Sequence, residues 1–181
     1  MIVAGHARPP IDGGTVLVTG ASAGIGRELA VQLAPRARAL VLLAWRAGRL
    51  EELRASLLAG HPQLRVLVLP VDLSEESDVD RAVAEAGEQA GAVDVRVNNA
   101  GVGHEALADQ ADWARVRAVL RTNVLAVAQL TTALVPAMVE RGRGGGLNMG
   151  SGAGLTVMPA AAAYSASKDF MDGSARHCAR I

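Results

Sequence analysis

The only tyrosine and the only lysine of the chain lie four residues apart, in the segment Tyr164-Ser165-Ala166-Ser167-Lys168. On a helix, residues i and i+4 lie one above the other on the same face, so the phenol and the ammonium would reach one site together. A free phenol titrates near about pH 10, and a neighbouring cation lowers that pKa because it favours the phenolate. A tyrosine with such a neighbour can act as a general acid or base at neutral pH. The alternative is an ordinary pair on a helix surface.

A serine upstream favours the catalytic interpretation of this pair. Ser151 lies thirteen residues before Tyr164, at the end of a short apolar run. A hydroxyl there can hydrogen-bond an oxygen on which charge develops during a reaction. Lys168 is the single lysine of the chain, and the other seventeen basic residues are arginines. A compact ammonium suits the site better than a guanidinium because it can also bond a ligand hydroxyl next to the phenol.

The composition predicts one globular domain over residues 1–181. Half of the residues are hydrophobic and only 2% are aromatic, so we expect a core of Ala, Val and Leu. Eighteen acidic and eighteen scattered basic residues predict no nucleic-acid partner. One cysteine, Cys178, and four dispersed histidines predict neither an internal disulfide nor a metal site. No signal peptide is apparent and no run approaches the roughly 18 apolar residues of a membrane span, so we expect a cytoplasmic protein without a membrane partner.

Short apolar runs alternate with segments of helical periodicity along the chain. Strands are predicted at 15–19, 39–44, 65–71, 93–97 and 146–149, with helices after the glycine-rich turn, at 48–58, after Ser74 as N-cap, at 112–140 and around Tyr164. This alternation predicts an α/β fold in which helices cover both faces of a parallel sheet. Ligands of such sheets bind beyond the carboxyl ends of the strands, where the strand order reverses.

The first predicted strand leads into a glycine-rich turn that opens a helix, at residues 20–26. Gly20 can take a positive φ in the turn, Gly24 allows the backbone to approach a pyrophosphate, and Gly26 allows the helix to pack closely on the strand. The free N–H groups of the helix start and its dipole favour phosphate there. A purely structural turn is the alternative.

Taken together, these residues resemble the short-chain dehydrogenase/reductase superfamily, in its shorter subgroup that acts on alcohols and carbonyls. The matching motifs are Thr19-Gly20-x-x-x-Gly24-x-Gly26 for the cofactor turn, Asn98-Asn99-Ala100-Gly101 after strand four, Asn123 on the long helix, and Ser151 with Tyr164 and Lys168. The similarity covers nearly the whole chain from Thr15 onward. It implies a Rossmann-type doubly wound sheet in three layers.

The resemblance also implies an activity, which is hydride transfer between NADP(H) and a carbonyl or alcohol carbon. Tyr164 would exchange the proton on oxygen, and Lys168 would lower the pKa of Tyr164 and hold the nicotinamide ribose. Ser151 would position the substrate oxygen, and Asn123 would support a water-mediated proton relay. These four residues need only position the substrate and stabilise charge, since the cofactor itself accepts or supplies the hydride.

A set of cofactor-binding residues follows from the same resemblance. Its members are Gly20, Ser22, Gly24, Ile25, Gly26, Arg46, Asp72, Leu73, Asn99, Ala100 and Gly101, together with Tyr164 and Lys168. Asp72 would meet the adenine amino group and Asn99 would hold the adenosine half. The alternatives are a strand-end turn residue at Asp72, a turn former at Asn99 and a surface amide at Asn123.

The end of the second predicted strand bears on the choice between NAD and NADP. NAD-binding proteins commonly place an acid there for the ribose 2′-hydroxyl, whereas an arginine accommodates a 2′-phosphate. The sequence here is Ala44-Trp45-Arg46, so we predict NADP with Arg46 as the phosphate contact, NAD remaining the second choice. A solvated loop charge is the alternative for Arg46, and Trp45 is the other candidate for the position usually held by arginine.

Several residues depart from the family pattern. Family members normally continue past the tyrosine helix, so strand five is expected to be an unpaired edge in a chain truncated at its C-terminus. Residues 144–146 are glycines that weaken this strand, Arg96 replaces an aliphatic residue in strand four, and Asp169 stands where it can compete for the Lys168 ammonium. An inactive homologue that only binds nucleotide is therefore an alternative. A nucleotide-sugar epimerase fits less well, because its glycine spacing differs.

The partners implied by the resemblance are a small carbonyl or alcohol substrate and a second copy of the chain. Relatives form homodimers or homotetramers through the long helix and the tyrosine helix. The apolar stripe available for such pairing contains Leu120, Val124, Val127, Leu130 and Leu134. Burial of the same stripe in the core is the alternative.

Overall fold

The computed structural model describes residues 10–177, which contain a five-stranded parallel sheet. The strands are β1 (Thr15–Thr19), β2 (Ala39–Ala44), β3 (Arg65–Pro70), β4 (Val95–Asn98) and β5 (Gly145–Asn148). Their order in the sheet is β3-β2-β1-β4-β5, and all four neighbouring pairs are parallel. The predicted doubly wound sheet is confirmed, with strand boundaries within two residues of those expected. Cys178 lies outside the described residues.

The helices alternate with these strands. They are α1 (Gly24–Leu33), α2 (Ala47–Gly60), α3 (Glu76–Ala90), α4 (Trp113–Leu120), a π-helical segment (Arg121–Leu125), α5 (Ala126–Glu140) and α6 (Ala162–His177), with short 3-10 turns at Ala108–Gln110 and Gly152–Gly154. The α4, π and α5 segments follow without a break, so the long helix predicted at 112–140 is present. Asp112 caps it by accepting a hydrogen bond from the Ala114 N–H at 2.8 Å.

One predicted helix start is wrong. The backbone N–H and the hydroxyl of Ser74 both donate to Asp72 Oδ1, at 2.9 and 2.8 Å, which forms a turn at the end of β3. Helix α3 begins two residues later, at Glu76. The carboxylate of Asp78 accepts a hydrogen bond from the Asp72 N–H at 2.9 Å. Glu75 holds the cap position of α3, so Ser74 lies one residue before it, in a turn held by the Asp72 side chain, of the kind that short polar side chains form near helix ends.

Alternate residues of the central strands face two separate cores. Val16, Val18, Leu40 and Leu42 pack with α1 and α2 on one face, in a cluster that also contains Ala30, Leu50, Leu53 and Leu57. Leu17, Val41 and Leu43 pack with α3 and α5 on the other, together with Val79, Ala82 and Leu130. All residues of β1 and β2 are buried, which explains their uninterrupted apolar sequence.

The apolar stripe of the long helix belongs in part to this second core. Val127 and Leu130 are 4% and 1% exposed, while Leu120, Val124 and Leu134 are half-buried. The helix over 113–140 has 28 residues and a mean hydropathy of 1.5 in its most apolar window, which by length and composition alone would allow it to cross a membrane. The sequence, in contrast, predicts no segment long and apolar enough to span a membrane. Of the most apolar window, 28% is buried inside the structure.

Arg96 in β4 and the glycines at the start of β5 both depart from the family pattern, and the structure shows how they fit together. Arg96 of β4 pairs with Gly146 of β5 and is only 4% exposed. A Cβ atom on Gly146 would lie 3.0 Å from Arg96 Nη2. A glycine at this edge position therefore leaves the space that the guanidinium occupies. Similarly, a Cβ on Gly144 would lie 2.7 Å from Met138 Cγ.

Candidate active site

A cleft at the carboxyl edge of the sheet brings the predicted catalytic side chains together. Its volume is about 720 Å³, and it is lined by Ser151, Tyr164 and Lys168. The remaining walls come from Ile25, Asn99, the loop 101–105 and the 149–150 segment. These residues follow β4 and β5 or belong to α1 and α6. They lie close together because parallel strands bring their carboxyl ends to one edge of the sheet.

Tyr164 and Lys168 occupy successive turns of α6 and face this cleft. Lys168 Nζ lies 5.7 Å from the centroid of the Tyr164 ring. The same ammonium donates a hydrogen bond of 2.8 Å to the carbonyl of Met149, at the end of β5. This bond fixes the ammonium between the sheet and the phenol, and it uses one of the three donors of the lysine.

Lys168 is 5% exposed, and this burial lowers the pKa of its ammonium because removal from water disfavours the charged form. The carboxylate of Asp172, one helical turn further along α6, acts in the opposite direction and raises that pKa. Asp169, expected to compete for the ammonium, is exposed. Asp172 is thus the acid that influences the site. A Cβ atom on Gly150 would lie 2.7 Å from Asp172 Oδ1. The Asp172 carboxylate therefore packs against the loop that leads to Ser151.

Ser151 combines a structural hydrogen bond with an available donor. Its Oγ accepts a hydrogen bond of 3.2 Å from the Ala153 N–H, at the start of the 3-10 turn Gly152–Gly154. A serine hydroxyl has one donor hydrogen and two lone pairs. Within residues 10–177 no hydrogen bond from this donor is found, so it remains for an oxygen in the cleft.

The side chain of Asn123 holds one wall of the cleft in place. Asn123 lies in the π-helical segment and is fully buried. Its Nδ2 donates to the Val102 carbonyl and to Ser167 Oγ, both at 3.0 Å, and its Oδ1 accepts from the Val102 N–H at 2.9 Å. Farther along the same loop, Ala106 N–H donates to the Ala160 carbonyl at 2.6 Å. Asn123 does not line the cleft itself, and its predicted relay function stays a prediction.

The glycine-rich turn has the positive φ at Gly20 and the close packing at Gly26 that were expected, while pyrophosphate binding at Gly24 stays a prediction. Gly20 and Gly24 have positive φ angles of 68° and 56°. A Cβ on Gly26 would lie 2.5 Å from the Gly20 carbonyl oxygen and would overlap Asn99 Nδ2. At Gly24, by contrast, no heavy atom of residues 10–177 outside its own helix start and chain neighbours lies within 4 Å of the corresponding position. The turn is therefore closed towards the sheet and open on the side where a pyrophosphate would approach the helix start.

Thr19 connects this turn to β4, which the sequence motif did not reveal. Its Oγ1 accepts hydrogen bonds of 3.0 Å from the N–H groups of both Asn99 and Ala100. It also donates to the Val97 carbonyl at 3.3 Å. Asn99 completes the connection, because its Nδ2 donates to the Thr19 carbonyl at 2.9 Å. Thr19 is part of the quoted motif, but its partners lie about 80 residues away in the sequence and become apparent only in the folded chain.

A second cleft of about 490 Å³ adjoins the first. It is lined by Gly20, Ser22, Trp45, Arg46, Asp72, Leu73 and Ala100, and it shares Asn99, Gly101 and Val102 with the catalytic cleft. Arg46 Nε donates to Ser22 Oγ at 3.3 Å, which places the guanidinium beside the glycine-rich turn. Gly24 and Gly26 shape the turn without lining either cleft. The two clefts meet at these shared residues and together extend from Arg46 to Tyr164.

Comparison with known proteins agrees with this geometry. The sequence profile of the short chain dehydrogenase family matches residues 14–180. An uncharacterized oxidoreductase of Myxococcus xanthus is 41% identical over 160 residues, which are 87% of this chain and 61% of that protein. Dehydrogenase/reductase SDR family member 7 of Mus musculus is 34% identical over 160 residues, 87% of this chain and 47% of that protein. The chain thus spans about half to three-fifths of the length of these relatives.

Solved structures show the same fold. A short-chain dehydrogenase from Sphingobium yanoikuyae in complex with NADPH superposes with a TM-score of 0.84 at 30% identity, covering 91% of this chain and 63% of that one. A metagenomic short-chain oxidoreductase in complex with NADP gives a TM-score of 0.83 at 32% identity, with coverages of 91% and 74%. With its sequence profile, its sheet order and its glycine-rich turn in agreement, the chain belongs to the short chain dehydrogenase family.

Proposed function

We propose that the chain works as an NADP(H)-dependent oxidoreductase that interconverts a carbonyl and an alcohol. The observation that supports this most strongly is the pair of adjoining clefts, with Arg46 and Ser22 at one end and Ser151, Tyr164 and Lys168 at the other. Two similar solved structures hold NADPH or NADP. When bound in these clefts, the nicotinamide would accept or supply the hydride, which is chemistry that these side chains lack.

In this proposal the side chains of the cleft handle the substrate oxygen. The Tyr164 hydroxyl gives a proton to that oxygen during reduction and takes it back during oxidation. The Lys168 ammonium, 5.7 Å from the phenol ring, stabilises negative charge on the phenolic oxygen. Ser151 donates its free hydrogen to the same substrate oxygen. Because all three side chains line one cleft, an active enzyme is favoured over a homologue that only binds nucleotide.

The test of this proposal is the rate of NADPH oxidation with a panel of aldehydes and ketones. Tyr164→Phe removes only the hydroxyl, and we expect kcat at saturating NADPH to fall by about 10²- to 10⁴-fold, with calorimetry of NADPH binding to confirm that the cofactor is bound. Asp169→Asn is the matched control, because Asp169 is exposed on the same helix. Turnover by Tyr164→Phe at the wild-type rate would refute the assignment of Tyr164.

Cofactor preference provides an independent test. Arg46 is held beside the turn by Ser22, in the position proposed for the 2′-phosphate. Hydrogen bonds to charged groups contribute about 1.5–3 kcal/mol, so Arg46→Gln should reduce the ratio of kcat/KM for NADPH over NADH by about 10- to 150-fold. Arg49→Gln is the control, since Arg49 is exposed on α2 and lines neither cleft. A wild-type preference for NADH would reject this assignment.

We also infer that copies of the chain associate through the long helix. Val127 and Leu130 belong to the core, but Leu125 and Val139 of the same helix remain 47% and 53% exposed. A second copy that packs against this helix would cover these exposed apolar side chains. Light scattering at micromolar concentration tests the inference, and a monomer would contradict it.

A further inference from the structure

Trp45 has an unusual environment for a tryptophan. It follows β2, all of whose residues are buried, yet its own side chain is 71% exposed. Aromatic side chains contribute most to binding and stability when they are buried. The exposed indole lines the 490 Å³ cleft together with Arg46, Ser22 and Asp72. The ring is therefore available to a ligand that enters this cleft.

The Trp45 ring contacts the side chain of its neighbour Arg46. Arg46 Cζ lies 5.1 Å from the indole centroid, a distance at which a guanidinium is attracted to the face of the ring. The same guanidinium donates to Ser22 Oγ in the glycine-rich turn. Arg46 thus lies over one face of the indole while it also contacts the turn, and both side chains line the same cleft.

A flat aromatic surface next to a cation matches a ligand that joins a flat base to an anion. Bases stack on aromatic side chains with favourable energies that do not depend on hydrogen bonding, and a guanidinium pairs with phosphate through parallel N–H donors. We propose that Trp45 is the stacking surface for the adenine ring of NADP(H), while Arg46 binds the neighbouring 2′-phosphate. This inference rests on the cofactor assigned under the proposed function and adds a binding residue to it.

The two tryptophans of the chain make the proposal directly testable by fluorescence. Trp113 begins α4, is 66% exposed and does not line the cleft, so it serves as the internal control. The probe is adenosine 2′,5′-bisphosphate, which has the base and the 2′-phosphate but no nicotinamide to accept energy from either tryptophan. Each tryptophan is examined alone, in Trp113→Phe and in Trp45→Phe, with calorimetry to measure binding.

We expect the probe to quench Trp45 in the Trp113→Phe protein, with saturation at the calorimetric Kd, and to leave Trp113 unchanged in the Trp45→Phe protein. Trp45→Leu should weaken probe binding by about 5- to 150-fold, whereas Trp113→Leu should not. The proposal is overturned if Trp113 is the quenched residue, if Trp45→Leu binds as tightly as the wild type, or if the wild type does not bind the probe.

These outcomes are distinct from failure of the proposed reaction. If Trp45→Leu weakens the probe but the wild-type protein reduces no carbonyl, the stacking proposal stands and the proposed reaction fails. If the wild-type protein reduces carbonyls with NADPH and Trp45→Leu binds the probe normally, the reaction stands and the stacking proposal is refuted.

Discussion

Replacing Thr19 by valine should test how the glycine-rich turn is attached to the sheet. The substitution nearly preserves the shape of the side chain and deletes its hydroxyl. In the wild type that oxygen accepts from the N–H groups of Asn99 and Ala100 and donates to the carbonyl of Val97. Thr19 is 2% exposed, so water cannot reach the position of the lost oxygen. Two backbone donors are left without their acceptor.

The expected cost follows from those two donors. Leaving a buried donor unsatisfied costs about 1–3 kcal/mol, and both N–H groups point to the buried position of Thr19 Oγ1. We therefore expect the free energy of unfolding to fall by about 3 kcal/mol in total. In a protein of this size that corresponds to a decrease in Tm of roughly 6–12 °C.

Urea denaturation of Thr19→Val and of a matched control gives the answer. Thr132→Val makes the same chemical change on the exposed face of α5, where the hydroxyl only donates to the Ala128 carbonyl. Thr132→Val should change stability by less than about 0.5 kcal/mol. If the two variants unfold at the same urea concentration with equal m-values, Thr19 does not hold the turn as described.

Three further outcomes are expected. Because burial lowers the pKa of Lys168, NMR titration of this single lysine should give a midpoint below 10.5, and a midpoint at or above that value would contradict the geometry. The unfolded chain binds more protons between the two pKa values, so the free energy of unfolding should rise with pH in that window. Gly26→Ala should destabilise the protein by about 2 kcal/mol or more, because its Cβ would lie 2.5 Å from a backbone oxygen. Gly87→Ala, in a helix with no atom within 4 Å of the new Cβ, should stabilise by about 0.4–1 kcal/mol; equal urea midpoints for the two would refute the role of Gly26. Gly146→Ala and Arg96→Met should show a coupling of about 0.5–3 kcal/mol in a double-mutant cycle, since the new Cβ would lie 3.0 Å from Nη2, and additive effects would show that the glycine is not needed.

Features that depend on neighbouring residues were predictable. The buried runs of β1 and β2, the glycine-rich turn and the i, i+4 pair of Tyr164 and Lys168 follow from periodicity and backbone preference. Even here, one local detail differed. Ser74 donates to Asp72 in a turn before the helix, and Glu75 stands at the cap position of α3 instead.

Contacts between distant residues could not be predicted. Arg96 and the glycine at position 146 each weaken a strand when considered alone, but in the sheet they lie opposite each other. The acid that affects Lys168 is Asp172, although Asp169 is its immediate neighbour in sequence. The apolar stripe of the long helix is divided between core and surface by its packing on the sheet, with Leu130 buried and Leu125 exposed.

The sequence by itself determined the succession of strands and helices along the chain, the position of the glycine-rich turn and the residue types of the candidate active site. These features depend on interactions between residues a few positions apart. Only the tertiary structure decided that Thr19 holds the end of β4, that Asn123 holds the loop at Val102, and that Trp45 and Arg46 share one cleft. These contacts require parallel strands to bring their carboxyl ends to the same edge of the sheet. Their partners are set by distance in space, which sequence spacing does not encode.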